Sequence, residues 1–203
     1  NPTILEAVEV QSGATLSPNV DIEIRGGLTV RSGGSLQGGT RTVTFPNSNT
    51  VTVEATGTCR FNHVNVNNVT TLAAGSNIAA TGTLNVSGTL TANGATANVI
   101  TIDGGTFGGG GIFNQGVSKV VYGGSTPTMP TTARTFYDLE IAATGSTSAG
   151  ASYTVQNDWI ATTSNFNAGT FTVTFDDSAV AATADYVGTQ KTTFNAVVVA
   201  GAG

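Results

Sequence analysis

One short phrase occurs three times in this chain of 203 residues, with nothing helical between the copies. The copies occupy residues 60–66, 135–141 and 193–199. Each contains a phenylalanine, then two mostly polar residues, then apolar residues two positions apart. A second phrase, Thr-Val-Thr-Phe, stands at residues 42–45 and 172–175, each time upstream of a copy of the first. Self-similarity of this kind predicts stacked supersecondary units rather than one closed globule.

The composition favours short strands joined by tight corners. Only 9% of the residues are charged, against about 25% in an average soluble protein. Threonine, serine, asparagine and 27 glycines take their place. Threonine and valine suit a pleated, half-buried surface, whereas glycine and asparagine suit the corners between strands. Apolar residues recur at short intervals without blocks of like charge, and this pattern excludes a disordered chain.

These patterns predict an all-β fold, a β-solenoid of the parallel β-helix type built from degenerate repeats. The strands are expected to stack coil upon coil through parallel hydrogen bonds. The three phenylalanines of the repeated phrase, Phe61, Phe136 and Phe194, are 75 and 58 residues apart by their numbers. A solenoid coil takes about 20–30 residues, so each unit is expected to hold two or three coils. An antiparallel β-sandwich is the competing architecture, because it also uses short strands with regular turns.

Alternation with a period of two assigns one face of each strand to the core. The positions expected to point inward are Val43, Phe45, Phe61, Val64, Val66, Leu84, Val86, Leu90, Phe136, Leu139, Ile141, Val173, Phe175, Phe194, Val197 and Val199.

Three stretches carry a resemblance to a known class of protein. They are Thr-Val-Thr-Phe, Phe-Tyr-Asp-Leu-Glu-Ile, and Thr-Gly-Thr-Leu-Asn-Val-Ser-Gly-Thr-Leu-Thr-Ala at residues 81–92. They resemble the repeats of large secreted bacterial surface proteins with β-solenoid or adhesin-like stalks, over residues 26–199. The resemblance implies an extracellular or cell-surface location and a structural or adhesive role, with no catalytic residues. Pro127 and Pro130 depart from the repeat and predict an interruption at residues 125–132.

The charged and reactive residues do not assemble into a recognisable chemical site. The net charge is −5 and the seven basic residues are scattered, which argues against nucleic acid and anionic membranes as partners. No apolar run approaches the roughly 20 residues needed to cross a bilayer. Cys59 and His63 are the single cysteine and histidine, and Asp138 and Glu140 lie two apart on one strand face. We therefore expect no enzyme, no metal site and no cofactor.

The ends of the predicted solenoid are the expected sites of self-association. Residues 1–25 are interpreted as an N-terminal docking strand and cap region, and residues 26–203 as the repeat-built β domain. Unpaired strand edges at both ends predict a polymer of identical copies joined head to tail. The residues expected to make this contact are Ile4, Leu5, Val8 and Val10 at one end and Phe194, Val197 and Val199 at the other.

The threonine-rich strands support an alternative function. Thr-x-Thr triplets at residues 42–44, 50–52 and 172–174 are able to form a flat array of hydroxyl groups. Such an array suits a binding module for carbohydrate or ice. The triplets do not recur at one coil length, which favours an ordinary solvated strand face.

Overall fold

The computed structural model describes residues 1–93, 96–161, 165–176, 186–188 and 192–200. In these ranges the chain is all-β, and the strands pair in parallel throughout. The predicted solenoid is confirmed, and the antiparallel sandwich is wrong. Strands that are consecutive in sequence lie on different faces, so hydrogen-bonded neighbours are a whole coil apart rather than one hairpin apart.

The coil has three sides, and its successive strands belong in turn to face A, face B and face C. Face A is a six-stranded sheet followed by a three-stranded sheet: β1 (Thr3–Leu5), β4 (Ile22–Ile24), β7 (Thr42–Phe45), β10 (His63–Val66), β13 (Thr83–Val86) and β16 (Thr106–Gly108), then β21 (Thr147–Ser148), β24 (Phe166–Asn167) and β27 (Thr192–Thr193).

Face B is a six-stranded sheet followed by a four-stranded sheet: β2 (Val8–Val10), β5 (Leu28–Val30), β8 (Asn49–Val53), β11 (Val69–Leu72), β14 (Thr89–Ala92) and β17 (Ile112–Asn114), then β19 (Arg134–Phe136), β22 (Tyr153–Val155), β25 (Thr172–Asp176) and β28 (Ala196–Ala200).

Face C is one sheet of nine strands: β3 (Thr15–Leu16), β6 (Ser35–Gln37), β9 (Thr58–Phe61), β12 (Ile78–Ala80), β15 (Val99–Asp103), β18 (Lys119–Gly123), β20 (Asp138–Ile141), β23 (Trp159–Ala161) and β26 (Tyr186–Gly188).

One strand from each face makes a complete rung, and the described residues contain ten levels. Eight of these are complete rungs, the seventh has strands on faces B and C only, and the tenth has strands on faces A and B only. The number of residues per turn follows from the strand register. It ranges from 19, between Thr3 and Ile22, to 27, between Trp159 and Tyr186. Most turns are close to 20 residues, such as that from Val64 to Leu84. One turn is therefore much shorter than the spacing between the repeated phenylalanines.

Parallel pairing in register stacks like residues directly above one another in the core. On face C, Ile100 pairs with Val120, which pairs with Leu139, and this residue pairs with Trp159. All four are fully buried. Fourteen of the predicted inward positions pack in the core or against it, Phe194 as a partly buried member. Val197 and Val199 are the two exceptions, and they belong to the last described rung.

The repeated phenylalanine phrase marks corners of the coil, so its interpretation as a multi-coil unit is wrong. Phe61 ends β9 just before the corner from face C to face A. Phe136 ends β19 before the corner from face B to face C. Phe194 lies between β27 and β28, at the corner from face A to face B. The phrase therefore serves each type of corner once, with the ring packed inward against the core.

A tight turn recurs at the corner from face B to face C in the first four rungs and in the sixth. The amide of Gly34 donates to the carbonyl of Arg31 at 2.7 Å, and Ala14 donates to Gln11 at 3.0 Å in the preceding turn. Gly33 adopts a φ of 75°, which a side chain disfavours. Another corner needs glycine for space, because a Cβ on Gly105 would collide with the carbonyl oxygen of Gly82 one rung away.

The predicted interruption at residues 125–132 lies at the seventh rung. There face A is reduced to one bridge, between Thr106 and Thr128. Face B also changes from its six-stranded to its four-stranded sheet at this level. Face C continues without a break through β15, β18 and β20. The hydroxyl of Tyr153 secures the inserted segment by donating to the carbonyl of Pro130 at 2.5 Å.

Truncation of Phe136 tests the core directly. Its ring is fully buried and lies 6.4 Å from the ring of Phe113 and 5.8 Å from that of Tyr153. We expect Phe136→Ala to lower the free energy of unfolding by about 3–5 kcal/mol, measured by denaturant titration with circular dichroism. Thr135→Ala on the same strand faces outward, and should cost about 1 kcal/mol or less. Equal costs for the two variants would contradict the assigned strand orientation.

Candidate functional site: the two ends of the solenoid

At the N-terminal end, the core of the first rung is open. Strands β1, β2 and β3 pair with the second rung along one edge, and their other edge has no partner among the described residues. Leu5, Val8, Val10 and Leu16 line a shallow depression of about 390 Å³. Val10 is buried, whereas the other three are only partly buried against the core. The depression is the end of the hydrophobic core itself.

The N-terminal segment is already part of the coil. The apolar residues from Ile4 to Val10, within the segment interpreted as a docking strand, are divided between β1 on face A and β2 on face B. Ile4 points outward beside Glu23, whereas Leu5 pairs with Ile24 of the core. Glu6, which breaks the apolar stretch, lies in the corner between the two strands. This segment therefore presents a free edge rather than a free strand.

At the C-terminal end, β28 pairs only with β25 among the described residues. Val197 and Val199 are in register with the buried Val173 and Phe175, so they point toward the core as the sequence predicts. Nevertheless they are 48% and 82% exposed, because no described rung covers them. Phe194 is covered better, with its ring 5.4 Å from that of Trp159.

The two ends match each other on face B. The first strand of this face has inward residues Val8 and Val10, and the last described strand has inward residues Val197 and Val199. Both pairs are valines two positions apart, with one outward residue between them. A strand edge carrying this pattern is able to extend the parallel ladder of another edge with the same pattern. The arrangement can therefore join two rods end to end without breaking the alternation.

The two carboxylates that lie two apart on one strand face, Asp138 and Glu140, are engaged in structural contacts. Lys119 binds Glu140 on the adjacent rung at 2.9 Å. A carboxylate oxygen of Asp138 accepts from the side chain of Asn157 at 2.7 Å and from the amide of Asp158 at 3.1 Å. These contacts hold neighbouring rungs of face C together, and they leave no facing pair of carboxylates at Asp138 and Glu140.

Cys59 and His63 also have structural positions. Cys59 is buried in the stack of face C between Leu36 and the next rung, and burial raises the pKa of its thiol far above the usual range. Nδ1 of His63 accepts a hydrogen bond from the amide of Thr83 at 3.1 Å. Within the described ranges, no group of three or more metal-ligating side chains is found.

Arg134 is a buried cation that the sequence analysis did not single out. It is 7% exposed, and its guanidinium donates to the carbonyl oxygens of Gly111 at 2.7 Å and Gly109 at 2.6 Å. It also lies 5.1 Å from the ring of Phe107. Burial lowers the pKa of Arg134. The guanidinium thus supplies hydrogen-bond donors to backbone carbonyls of the glycine run between β16 and β17. The strand ladders of faces A and B are interrupted next to this run.

Comparisons of the chain with models of protein families, with curated proteins and with solved structures found no match. In the part of the chain that the structure describes, no helix is long and apolar enough to span a membrane.

Replacement of Arg134 tests its structural role. Arg134→Met keeps most of the apolar stem but leaves the carbonyls of Gly109 and Gly111 unpaired. We expect the free energy of unfolding to fall by about 2–4 kcal/mol, because two partly buried carbonyls lose their donors and a carbonyl left without a donor away from water costs about 1–3 kcal/mol. Arg60→Met removes the half-exposed ion pair with Asp103 and should cost about 1 kcal/mol or less. If both variants unfold at the same denaturant concentration, Arg134 does not serve these carbonyls.

Proposed function

We propose that this chain is a non-catalytic structural subunit of an extracellular filament, sheath or surface stalk, which assembles head to tail. The observation that carries the proposal is the pair of open ends. One end exposes the core of the first rung in a depression lined by Leu5, Val8 and Leu16. The other end exposes Val197 and Val199, whose side chains point to the inner side of the coil, in line with the hydrophobic core.

The free energy of such a contact comes from two sources. The unpaired backbone groups of β28 and β2 gain hydrogen-bond partners, as occurs when a strand adds to the edge of a sheet. The exposed valines lose water at the same time, with a gain of about 25 cal/mol for each Å² of apolar surface buried. Each end has its own, different surface, so the contact is heterologous. A heterologous contact that does not close into a ring produces a filament.

The rest of the rod suits a structural role. Its stability comes from contacts between adjacent rungs, including ion pairs such as that of Lys119 with Glu140. Stability of this kind is nearly additive along a repeat array, so a rod is able to lengthen without a change in its cross-section. The candidate carboxylates Asp138 and Glu140 have structural partners. These features support a rod without catalytic activity, located outside the cell as the resemblance of its repeats implies.

A charge placed at one end tests head-to-tail assembly. Val199 is 82% exposed in the isolated chain, so Val199→Asp should change the stability of the monomer by about 0.5 kcal/mol or less. In a filament, however, the carboxylate would be enclosed between two rungs without a partner. We expect the full-length chain to form filaments in negative-stain images at high concentration, and Val199→Asp to remain monomeric.

The adjacent residue supplies the matched control. Val198 lies on the same strand but points outward beside the position of Thr174, so Val198→Asp keeps its charge in water and should still form filaments. Removal of residues 1–10 is a weaker test, because it uncovers β4 and β5, which present another edge of the same kind. The proposal fails if the full-length chain stays monomeric at high concentration, or if Val199→Asp assembles as well as Val198→Asp.

A further inference from the structure

Face B carries almost no charge on its outer surface. Glu9 on the first rung and Asp176 on the ninth are the outward charged residues of its described strands. Between them, the outward positions from the third rung to the ninth are occupied by threonine, asparagine, valine and isoleucine: Thr50, Thr52, Val69, Thr71, Thr89, Thr91, Ile112, Asn114, Thr135, Thr154, Thr172 and Thr174.

Face C has the opposite character. Its outward positions include the ion pairs of Arg60 with Asp103 and of Lys119 with Glu140. Charges are therefore present on the rod but are segregated from face B. Depletion of charge in the centre of a surface patch is characteristic of protein–protein interfaces.

The middle of face B exposes two large apolar side chains in one column, that is, at the same register position on successive rungs. Val69 pairs with Thr89, and Thr89 pairs with Ile112, so the three residues occupy the same position on the fourth, fifth and sixth rungs. Val69 is 42% exposed and Ile112 is 60% exposed. The adjacent column contains Thr71, Thr91 and Asn114.

These two columns do not fit the hydroxyl array expected for an ice- or carbohydrate-binding face. The threonine triplets at residues 42–44 and 50–52 lie on different faces, A and B. Val69 and Ile112 replace hydroxyl groups at the centre of face B. The described part of this face also presents no outward aromatic ring on which a sugar would stack. An uncharged surface with a central apolar pair is better suited to another protein surface of the same kind.

We propose that face B pairs with face B of a second copy of this chain, with the two rods antiparallel. Val69 and Ile112 are placed symmetrically on either side of Thr89. A two-fold axis between the faces, parallel to the strand of Thr89, brings Val69 of each copy against Ile112 of the other. The same axis brings Thr71 against Asn114, within reach of an amide–hydroxyl hydrogen bond. The contact is isologous, as in most homodimers.

The size of the face agrees with a specific, moderately weak contact. Nine overlapping rungs at about 4.8 Å span about 38 Å, and strands of three to five residues give a width of about 13 Å. The footprint is therefore about 500 Å² per copy and about 1,000 Å² in total, which is near the lower limit for a specific interface. The two outward carboxylates lie at the rim, and Glu9 already pairs with Arg31.

Complementary charges test both the partner and its orientation. Val69→Glu places a carboxylate against Ile112 of the second copy and should weaken pairing at least about tenfold, as loss of a central interface residue does. Ile112→Lys should do the same. In the double variant Val69→Glu/Ile112→Lys, each new carboxylate of one copy lies opposite a new ammonium group of the other copy, so pairing should be restored. Ser148→Glu adds a charge at an exposed position of face A, and should leave pairing unchanged.

Pairing is measured as dimer formation by sedimentation equilibrium and as rods of double width in negative-stain images. Width reports the face B contact, and length reports head-to-tail assembly, so either proposal is able to fail alone. Thermal melts confirm that the variants fold, as expected for substitutions at exposed positions.

Single rods of the full-length chain, or unchanged pairing of Val69→Glu, would overturn the inference. Failure of the double variant to regain pairing would overturn the antiparallel arrangement. Adhesion of unpaired rods to ice or to a neutral polysaccharide, lost in Val69→Glu, would assign face B to that ligand instead.

Discussion

The parallel, in-register pairing of each rung with the next is the constraint on which the whole structure depends. It forces residues about 20 positions apart to share one environment, as Val64 and Leu84 do. Inward residues therefore stack on inward residues, and corners stack on corners. This stacking explains why glycine occurs where the backbone of one rung approaches that of the next, as at Gly105 above Gly82. It also leaves β28, on the last described rung, with one edge that has no partner among the described residues.

The same stacking places different kinds of residue on different faces of the rod. A charged residue on one rung pairs with its opposite one or two rungs away, as Lys119 does with Glu140. Such pairs accumulate on face C, while face B keeps uncharged residues in its central rungs. The ends and face B are consequently independent surfaces of one rod. In the proposed assembly the ends determine length and face B determines width, and neither contact obstructs the other.

The sequence predicts the all-β solenoid and nearly all of the core, because alternation with a period of two is a local property of each strand. It does not reveal the length of one turn, because the phenylalanine phrase marks a corner and each copy occupies a different one. The turn at Gln11 and Arg31 follows the true period in the first four rungs and the sixth, but its residues vary and only its hydrogen bond recurs. Exposure of Val197 and Val199 depends on a neighbouring rung, which no local pattern specifies. The symmetric placement of Val69 and Ile112 on either side of Thr89 also follows from the strand register, which the sequence alone does not give.

The break at the seventh rung has a mechanical consequence. Face C runs as one sheet across this level, whereas faces A and B are interrupted beside the glycine run that Arg134 supports. A rod built this way has one continuous wall and two jointed walls. Tension along the rod is transmitted across the joint mainly by face C, and bending is easiest when the two jointed walls open. The rod is therefore expected to bend more easily in one direction than in the others. The bend occurs at the seventh rung, where the fewest backbone hydrogen bonds join adjacent rungs.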